Sequence, residues 1–458
     1  MKWIRLIALC MCAAMLLSGC NLVRVDETRD LAQVVAKVGD VEIKKDQVMR
    51  VYNINKVYYG ITDAMEKGPT KAEAEQIKSL KTSVLDTLIR NEIIRQRVAA
   101  GGYNAEFSAE EQKEAEDNAD GIIEDFIADA VAQAQTDGKE NPEEEAQKQL
   151  EDAFTQSGSS RQALIDEYLQ DTIAVNKLKK ATVEGVVPTE EEIRTKYDAD
   201  LLAQQEEYAK DASVFTEDMI GGEIIYTRPE NFSLYKHILI SLSVDDKAAV
   251  SALRNKATDA QEAYEADLLE IEDLRVELET AVIKSEVQTK IDDLIKESGE
   301  LLTQINDYTK QADDKRIELA KNIQEKADAA LLRVQNGEDF LAVMDDVGED
   351  DGMKNEPTKS AGYALGAEGN SVMVPEFTSA ARALKNIGDG TGLVLSDYGY
   401  HIIIKTGIVT AGDVPFDEVK DRIAEVLTTE KQNTKWTEEI EVWVKEDESK
   451  VKRYTNRL

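Results

Sequence analysis

Two short runs of β-branched residues interrupt a largely helical pattern in this chain of 458 residues. The runs are "YKHILI", beginning at Tyr235, and "YGYHIII", beginning at Tyr398. Turn-forming residues bound both runs, as is typical of buried strands. Elsewhere apolar residues recur at steps of three and four, the spacing of one buried helix face. The pattern predicts an α+β protein whose two strands, if they pair, bring His237 and His401 to one region of a sheet.

The first half of the chain has the pattern of a helical module. "VVAKVGDVEIKKDQV", beginning at Val34, predicts a small hairpin that turns at Gly39 and continues into a helix. Amphipathic tracts follow as far as residue 230, and several open with Ser or Thr and a Glu three residues on, which is a helix-capping signature. Because no catalytic constellation is visible, we interpret residues 20–230 as a helix bundle.

A heptad pattern occupies the middle of the chain. Apolar residues alternate steps of three and four from Val250 to Ala281 and from Ile291 to Ala312, with a break near 283–287. One break in a sustained heptad predicts an antiparallel coiled-coil hairpin over 246–316, and Gly299 is the alternative position of its turn. Two interpretations of this hairpin remain open: an arm that binds or spaces a partner, and a surface excursion without a role.

The first residues have the composition of an export signal. Lys2 and Arg5 precede the apolar stretch "LIALCMCAAMLL", and "LSGC" follows it. The tetrapeptide resembles the lipobox of bacterial lipoproteins, which implies a signal peptide over 1–19 and a lipid on Cys20. We therefore expect the protein on the extracytoplasmic face of the cell membrane, held by this lipid. An ordinary secreted protein with a cysteine at its cleavage site is the alternative.

Composition narrows the classes of partner and cofactor. A net charge of −36 argues against nucleic acid and against electrostatic adhesion to anionic lipid. Cys10 and Cys12 lie in the predicted signal peptide, so no disulfide framework is expected. A zinc site at the two histidines lacks a third histidine and a nearby cysteine. We predict neither a metal nor another cofactor.

The second half of the chain resembles a parvulin-type peptidyl-prolyl isomerase. The segments "HILI", "NGEDFLAVMDDVGEDDG", "GYALG" and "MVPEFTSAARALKNIGDGTGLVLSDYGYHIIIKTG" follow one another in that family's order. With the lipobox and "VAKVGDVEIKKDQV", the chain is similar to the PrsA foldases and, more distantly, to SurA-like chaperones. The resemblance implies an isomerase domain over 231–411, interrupted by the hairpin and inserted into a helical chaperone module, to which a C-terminal helix at 412–458 returns.

This resemblance implies a foldase that isomerises X-Pro bonds and assists unfolded or newly exported polypeptides, and it allows for a homodimer. Rotation about such a bond faces a barrier of ~20 kcal/mol but requires no nucleophile. An apolar pocket for the proline ring and polar groups that favour the twisted amide are sufficient.

Site residues follow from the family motifs. The resemblance assigns catalytic roles to His237, His401 and Asp350, with Asp351 as an alternative to Asp350. It assigns the substrate pocket to four residues: Met373, Phe377, Leu365 and Tyr398. The alternative interpretation makes the histidines and the M-x-x-x-F pair ordinary buried residues and places Asp350 in a solvated acidic loop.

Two positions depart from the family pattern. Ala361-Gly362 followed by Tyr363-Ala364 stands where a glycine pair is common, and Tyr398 stands where Ser or Phe is usual. Both changes alter bulk or polarity beside the pocket. A non-catalytic holdase or scaffold with an inactive isomerase domain is therefore the alternative function.

Overall fold

A computed structural model describes residues 27–458, so the predicted signal peptide and Cys20 lie outside the described residues. The strands are β1 (Val34–Val38), β2 (Val41–Lys44), β3 (Thr227–Arg228), β4 (Phe232–Ser241), β5 (Tyr363–Gly366), β6 (Val394–Ser396), β7 (Gly399–Ile408), β8 (Gly412–Asp413) and β9 (Val451–Arg453). The helices are α1 (Glu27–Leu31), α2 (Lys45–Tyr58), α3 (Asp63–Lys67), α4 (Lys71–Ala100), α5 (Ala109–Thr136), α6 (Pro142–Ser157), α7 (Arg161–Tyr168), α8 (Ala174–Thr182), α9 (Glu190–Lys210), α10 (Val214–Gly221), α11 (Val244–Thr280), α12 (Lys284–Ala320), α13 (Gln324–Gln335), α14 (Phe340–Val347), α15 (Asp351–Lys354), α16 (Thr358–Ala361), α17 (Pro375–Ala383) and α18 (Phe416–Asp447).

The chain divides into two compact units. The first comprises the described residues up to Pro188 together with Leu427–Leu458, and the second comprises Thr189–Val426. The boundaries predicted at residues 230 and 411 fall inside the second unit. Helices α9 and α10 belong to that unit because their aromatic side chains pack with the first residue of β4 and with β5; the residues are Tyr208, Phe215, Phe232 and Ala364.

The first unit combines a small sheet with long helices. Its antiparallel strands have the order β2-β1-β9, so the C-terminal strand pairs with the N-terminal hairpin. Gly39 turns that hairpin with φ +62°, a conformation that glycine adopts without strain. A core from α2, α4 and the end of α18 accompanies the sheet, and it includes Tyr52, Leu85, Ile89, Ile93 and Trp443.

A second cluster of helices completes the first unit. Helices α5, α6 and α7 pack around Ala119, Leu150 and Leu164, and a π-helical turn at Leu169–Ile173 joins α7 to α8. Within residues 27–458, no helix combines the length and the apolar character needed to cross a bilayer.

A four-stranded antiparallel sheet of order β5-β4-β7-β6 forms the centre of the second unit. The central strands β4 and β7 have ten residues each, and most of those in β4 are buried. Burial on both faces explains why "HILI" and "HIII" are continuous apolar runs rather than alternating ones. Helices α13, α14 and α17 pack on the sheet, with Val343, Phe377, Ala381, Ile402 and Ile403 among the buried residues. Strands β3 and β8 form a separate pair.

The helical hairpin, which we define as α11 and α12, leaves the sheet after β4. Its helices have 37 residues each and break at 281–283. The turn thus lies at the beginning of the predicted range 283–287, and Gly299 is an interior residue of α12. Ile271 packs with Ile291, and Ser298 Oγ donates a hydrogen bond to Asp267 Oδ2 at 3.2 Å. These contacts show that the helices are antiparallel. The second helix ends at Ala320, beyond the predicted residue 316.

Candidate active site

The central strands bring the two histidines together. In the β4–β7 register His237 lies opposite Ile403 and His401 lies opposite Leu239, so the histidines are diagonal neighbours on one face. Their Nδ1 atoms are 3.0 Å apart, and their rings stack with centroids 5.1 Å apart. Both residues are 4 % exposed. The prediction that both histidines project from one region of the sheet is confirmed.

Asp350 joins the histidine pair through His237. Its Oδ2 atom lies 3.0 Å from His237 Nε2 and accepts a hydrogen bond of 2.8 Å from the Tyr363 hydroxyl. The same oxygen accepts the Met353 N–H at 3.1 Å, because Asp350 caps α15. The neighbouring carboxylate of Asp351 is 93 % exposed. Of the two aspartates that the sequence left open, the structure places Asp350 against the histidines.

The turn between β6 and β7 holds the other end of the pair. His401 Nε2 lies 2.7 Å from the hydroxyl of Ser396, which is fully buried. The same hydroxyl oxygen accepts the backbone N–H of Tyr398 at 3.1 Å, and the Tyr398 carbonyl accepts the Leu242 N–H at 2.9 Å. Ser396 therefore links the histidines to the backbone of Tyr398.

For two neutral imidazoles, the hydrogen bonds of this site have a single direction. An ionised carboxylate only accepts, so the hydrogen of His237 is on Nε2 and its Nδ1 is an acceptor. His401 then donates from Nδ1 and accepts the Ser396 hydroxyl at Nε2, while the Ser396 oxygen accepts a backbone N–H. Each donor is used once. The contacts form one chain, from the Tyr398 amide to the carboxylate of Asp350.

The electrostatics of the buried groups support this assignment. Burial and the adjacent His237 lower the pKa of His401 to about 3, so this ring is neutral at physiological pH. Burial alone would raise the pKa of Asp350, but the hydrogen bonds from His237 and Tyr363 hold that pKa below its ordinary value. Burial and the carboxylate of Asp350 raise the pKa of Tyr363, whose hydroxyl stays a donor.

A cavity of about 200 Å³ lies above the hydrogen-bonded chain. Its lining combines polar members of the chain with apolar side chains: His237, Leu239, Asp350, Tyr363, Val372, Met373, Val374, Phe377, Tyr398 and His401. The Phe377 ring meets both imidazoles edge-on, with centroids 5.2 and 5.7 Å away. Pockets for drug-sized ligands have roughly 300–1,000 Å³. This cavity therefore suits one ring-sized apolar group.

Met373, Phe377 and Tyr398 line the cavity, and Leu365 does not. Leu365 lies on β5 opposite Ser233 and is 2 % exposed in the core of the sheet. Because β5 runs antiparallel to β4, Leu365 is farther along the sheet from His237 than Tyr363 is. The assignment of Leu365 to the pocket rim is thus wrong, and Tyr363 takes the place nearest the histidines.

Several features of the site were not predicted from the sequence: Leu239, Ser396, Val372, Val374 and the hydrogen-bonding role of Tyr363. Two of them carry a readable signal. Ser396 lies opposite Gly399 across a two-residue turn, so the alternation along β7 puts it on the same face as His401. Tyr363 is visible in the sequence as a departure from the family pattern, but its hydrogen bond to Asp350 was not predicted.

Two glycines permit the close packing around the site. A Cβ on Gly352 would lie 1.8 Å from the Tyr363 hydroxyl, the donor to Asp350. Gly399, with φ +134°, begins β7, and a Cβ there would lie 2.2 Å from the Ile240 carbonyl oxygen. Both positions need glycine because the neighbouring group occupies the space of a side chain.

Metal ligands are not gathered at this or any other place in the described part of the chain. Among residues 27–458, no group of three or more His, Cys, Asp or Glu side chains is arranged to hold an ion.

Comparison with known proteins identifies the domain. The family model of the PPIC-type PPIASE domain, also called rotamase, matches residues 301–407. The second unit contains a PPIC-type isomerase domain. The matched stretch includes Asp350, Met373, Phe377 and His401. His237 precedes it because the helical hairpin separates β4 from the rest of the isomerase domain.

Curated relatives match part of the chain. The chain is 36% identical to the foldase protein PrsA of Caldanaerobacter subterraneus over 132 residues, which are 29% of this chain and 40% of that protein. It is 42% identical to a putative peptidyl-prolyl cis-trans isomerase of Campylobacter jejuni over 73 residues, 16% of this chain and 27% of that protein. The alignments thus span less than half of either relative.

A solved structure matches more of the chain, at a lower sequence identity. The crystal structure of PrsA from Bacillus subtilis aligns with 91% of this chain and 93% of its own chain, at 14% identity and a TM-score of 0.26.

Proposed function

We propose that this chain is a foldase that combines a peptidyl-prolyl cis/trans isomerase with a chaperone and assists the folding of exported proteins. The observation that carries the catalytic part is the hydrogen-bonded chain of two histidines and Asp350 beneath an apolar cavity, within the isomerase domain. The name foldase, which the PrsA relatives carry, supports the role in protein folding.

The site supplies what rotation about an X-Pro bond requires. The barrier of ~20 kcal/mol comes from amide resonance, so catalysis needs only groups that favour the twisted amide over both planar forms. The cavity receives the proline ring between Met373 and Phe377, and the polar chain lies below it. Each 1.36 kcal/mol of preferential stabilisation gives about tenfold in rate.

A neutral imidazole at His401 suits an apolar substrate ring. With its pKa lowered to about 3, His401 brings no positive charge to the cavity floor at physiological pH. The carboxylate of Asp350 is engaged by three donors and does not face the ring as a free anion. The direction of each hydrogen bond in the site is therefore fixed, and no side chain has to reorient when the amide twists.

Proline-exchange kinetics test the catalytic proposal. We expect the purified protein to accelerate cis/trans exchange of a proline peptide, and Met373→Ala to lower kcat/KM about tenfold, the loss of ~1.4 kcal/mol of ring contact in the transition state. Leu341→Ala is the matched control, because Leu341 is an apolar residue of the same domain that is 42% exposed and away from the cavity. A wild-type rate equal to that of the peptide alone would overturn the proposal.

A scaffold without catalysis is the second candidate, and two observations favour it. The Tyr363 hydroxyl occupies Asp350 Oδ2, and the half-exposed Tyr398 side chain stands at the cavity mouth. Both candidates suppress client aggregation in an assay with full-length protein, so proline exchange distinguishes them. Suppression of client aggregation together with no wild-type proline exchange identifies the scaffold.

The proposed location is the extracytoplasmic face of the cell membrane. Its support is the sequence "LSGC" behind an apolar stretch. The net charge of −36 gives no electrostatic attraction to anionic lipid. Attachment then depends on acyl chains, worth roughly 0.8 kcal/mol per buried CH₂.

Fatty-acid labelling tests this location. We expect the wild type to incorporate an alkyne fatty acid and to sediment with membranes, and Cys20→Ser to lose both properties. Cys12→Ser is the matched control and should keep both. Equal labelling of wild type and Cys20→Ser would contradict the lipid anchor.

A further inference from the structure

Two arginines at the base of the helical hairpin contact the rim of the cavity. Arg254 of α11 binds Asp397 at two points, with Nε–Oδ2 and Nη2–Oδ1 distances of 2.8 and 3.0 Å. Arg316 of α12 lies 3.3 Å from the same carboxylate and 2.5 Å from Glu376 Oε1. A two-point contact fixes the orientation of both planar groups. The base of the hairpin is thus attached to the β6–β7 turn and to α17.

A third carboxylate closes this network. Asp313 of α12 accepts from Arg254 at 2.6 Å and lies 3.2 Å from Arg316. The Arg316 side chain is 14% exposed and that of Arg254 is 28% exposed. Hydrogen bonds to Asp397 and Asp313 outweigh burial and raise the pKa of Arg254. We call this cluster of five residues the hairpin junction: Arg254, Asp313, Arg316, Glu376 and Asp397.

Both rim carboxylates directly precede residues that line the cavity. Asp397 precedes Tyr398, and Glu376 precedes Phe377. The Tyr398 carbonyl also accepts the N–H of Leu242, the residue that follows β4 and leads into the hairpin. The hairpin therefore contacts two walls of the cavity through its arginine side chains, and Leu242, just before the hairpin, adds a backbone hydrogen bond to one of these walls.

We propose that Arg254 and Arg316 are positioning residues of the isomerase site, so that the helical hairpin forms part of the support of the cavity. This inference depends on the proposed function for its kinetic consequence. The histidine chain does not contact the arginines. Loss of the junction consequently loosens the walls that grip the proline ring. It reaches the polar floor only at the Tyr398 amide, and the contacts of the histidines with each other and with Asp350 stay in place.

Loss of the junction should change KM more than the exchange rate at saturation. The Arg254→Met/Arg316→Met double variant should raise KM for a proline peptide about tenfold, while the exchange rate at saturation falls less than threefold, because only the rim has moved. A variant that is merely partly unfolded lowers the rate at saturation and leaves KM unchanged. Asp397→Asn, which weakens the junction from the turn side, should shift KM in the same direction.

Hydrogen exchange provides a readout that needs no activity. The amides of Tyr398 and Leu242 are hydrogen-bonded within the rim, so both should exchange faster in the double variant. Arg275→Met is the matched control, because it removes an exposed arginine from the same helix at a distance from the junction.

The outcomes separate this proposal from the proposed function. Wild-type protein that does not catalyse exchange overturns the isomerase, and the amide measurements still test the junction. Unchanged KM and unchanged amide exchange in the double variant overturn the junction, as does an equal effect of Arg275→Met. Shortening the hairpin by replacing 265–300 with a glycine-containing turn keeps the junction and should leave KM unchanged.

Discussion

Asp350→Ala is expected to lower the rate of proline exchange at least tenfold. The carboxylate is the terminal acceptor of the chain through His237 and His401, and its loss leaves the His237 Nε2–H and the Tyr363 hydroxyl without their partner. Both imidazoles then lose the charge that fixes their tautomers. Tenfold corresponds to about 1.4 kcal/mol of transition-state stabilisation, and each unpaired buried group costs about 1–3 kcal/mol of folding free energy.

Asp351→Ala is the control for this experiment. It removes the same chemical group one residue away, from a side chain that is 93 % exposed. We expect its exchange rate and its thermal midpoint to equal those of the wild type. A larger rate loss in Asp351→Ala than in Asp350→Ala would contradict the site described above.

Acidification from pH 7.5 to pH 5 should destabilise the second unit by about 2 kcal/mol. The pKa of His401 is about 3 in the folded protein against 6.5 for the ordinary group. Between these values the unfolded chain binds a proton that the folded chain does not, so stability falls as the pH falls through that window. Each pH unit below 6.5 contributes about 1.4 kcal/mol. The lowered pKa of Asp350 affects stability only at pH values below the ordinary pKa range of a carboxyl group.

Urea-dependent hydrogen exchange of β7, corrected for the intrinsic effect of pH, measures this loss. The first unit is an internal control, since the chain's two histidines both lie in the second unit. Unfolding of the first unit, followed by the emission of Trp436 and Trp443, should lack the histidine-dependent slope. His401→Gln should flatten the slope for β7. An unchanged slope in that variant would assign the acid sensitivity to other groups.

Much of the second unit could be predicted because its determinants are local. The continuous apolar runs after His237 and His401 indicated central strands, and the break in the heptad located the hairpin turn. Strand β9 was missed because "VKR" is short and polar and pairs only through contacts distant in sequence. Strand β5 was missed because "YALG" follows a polar loop and has no alternation of its own.

The positions of the two histidines were predicted from the sequence, and the residues around them were predicted less well. His237 and His401 lie on strands, where position along the sequence fixes position on the sheet. Asp350 lies in a loop. In the sequence, only its position at the N-cap of α15 distinguishes it from Asp351. Leu365 was misplaced because the register of β5 against β4 is set by the tertiary fold. The hairpin junction was not predictable, since its arginines resemble solvated charges on a helix face.

The position of the helical hairpin has a consequence for how the isomerase domain folds. His237 and His401 are 164 residues apart in the chain, and almost half of that separation is α11 and α12. Halving a loop changes its closure entropy by only about 0.6 kcal/mol. If the hairpin forms first from its own local contacts, even that small term is removed, because its two ends are already adjacent. Chain topology therefore imposes almost no penalty on an insertion at this point, and a longer or shorter hairpin would be accommodated equally well by the folding of the sheet.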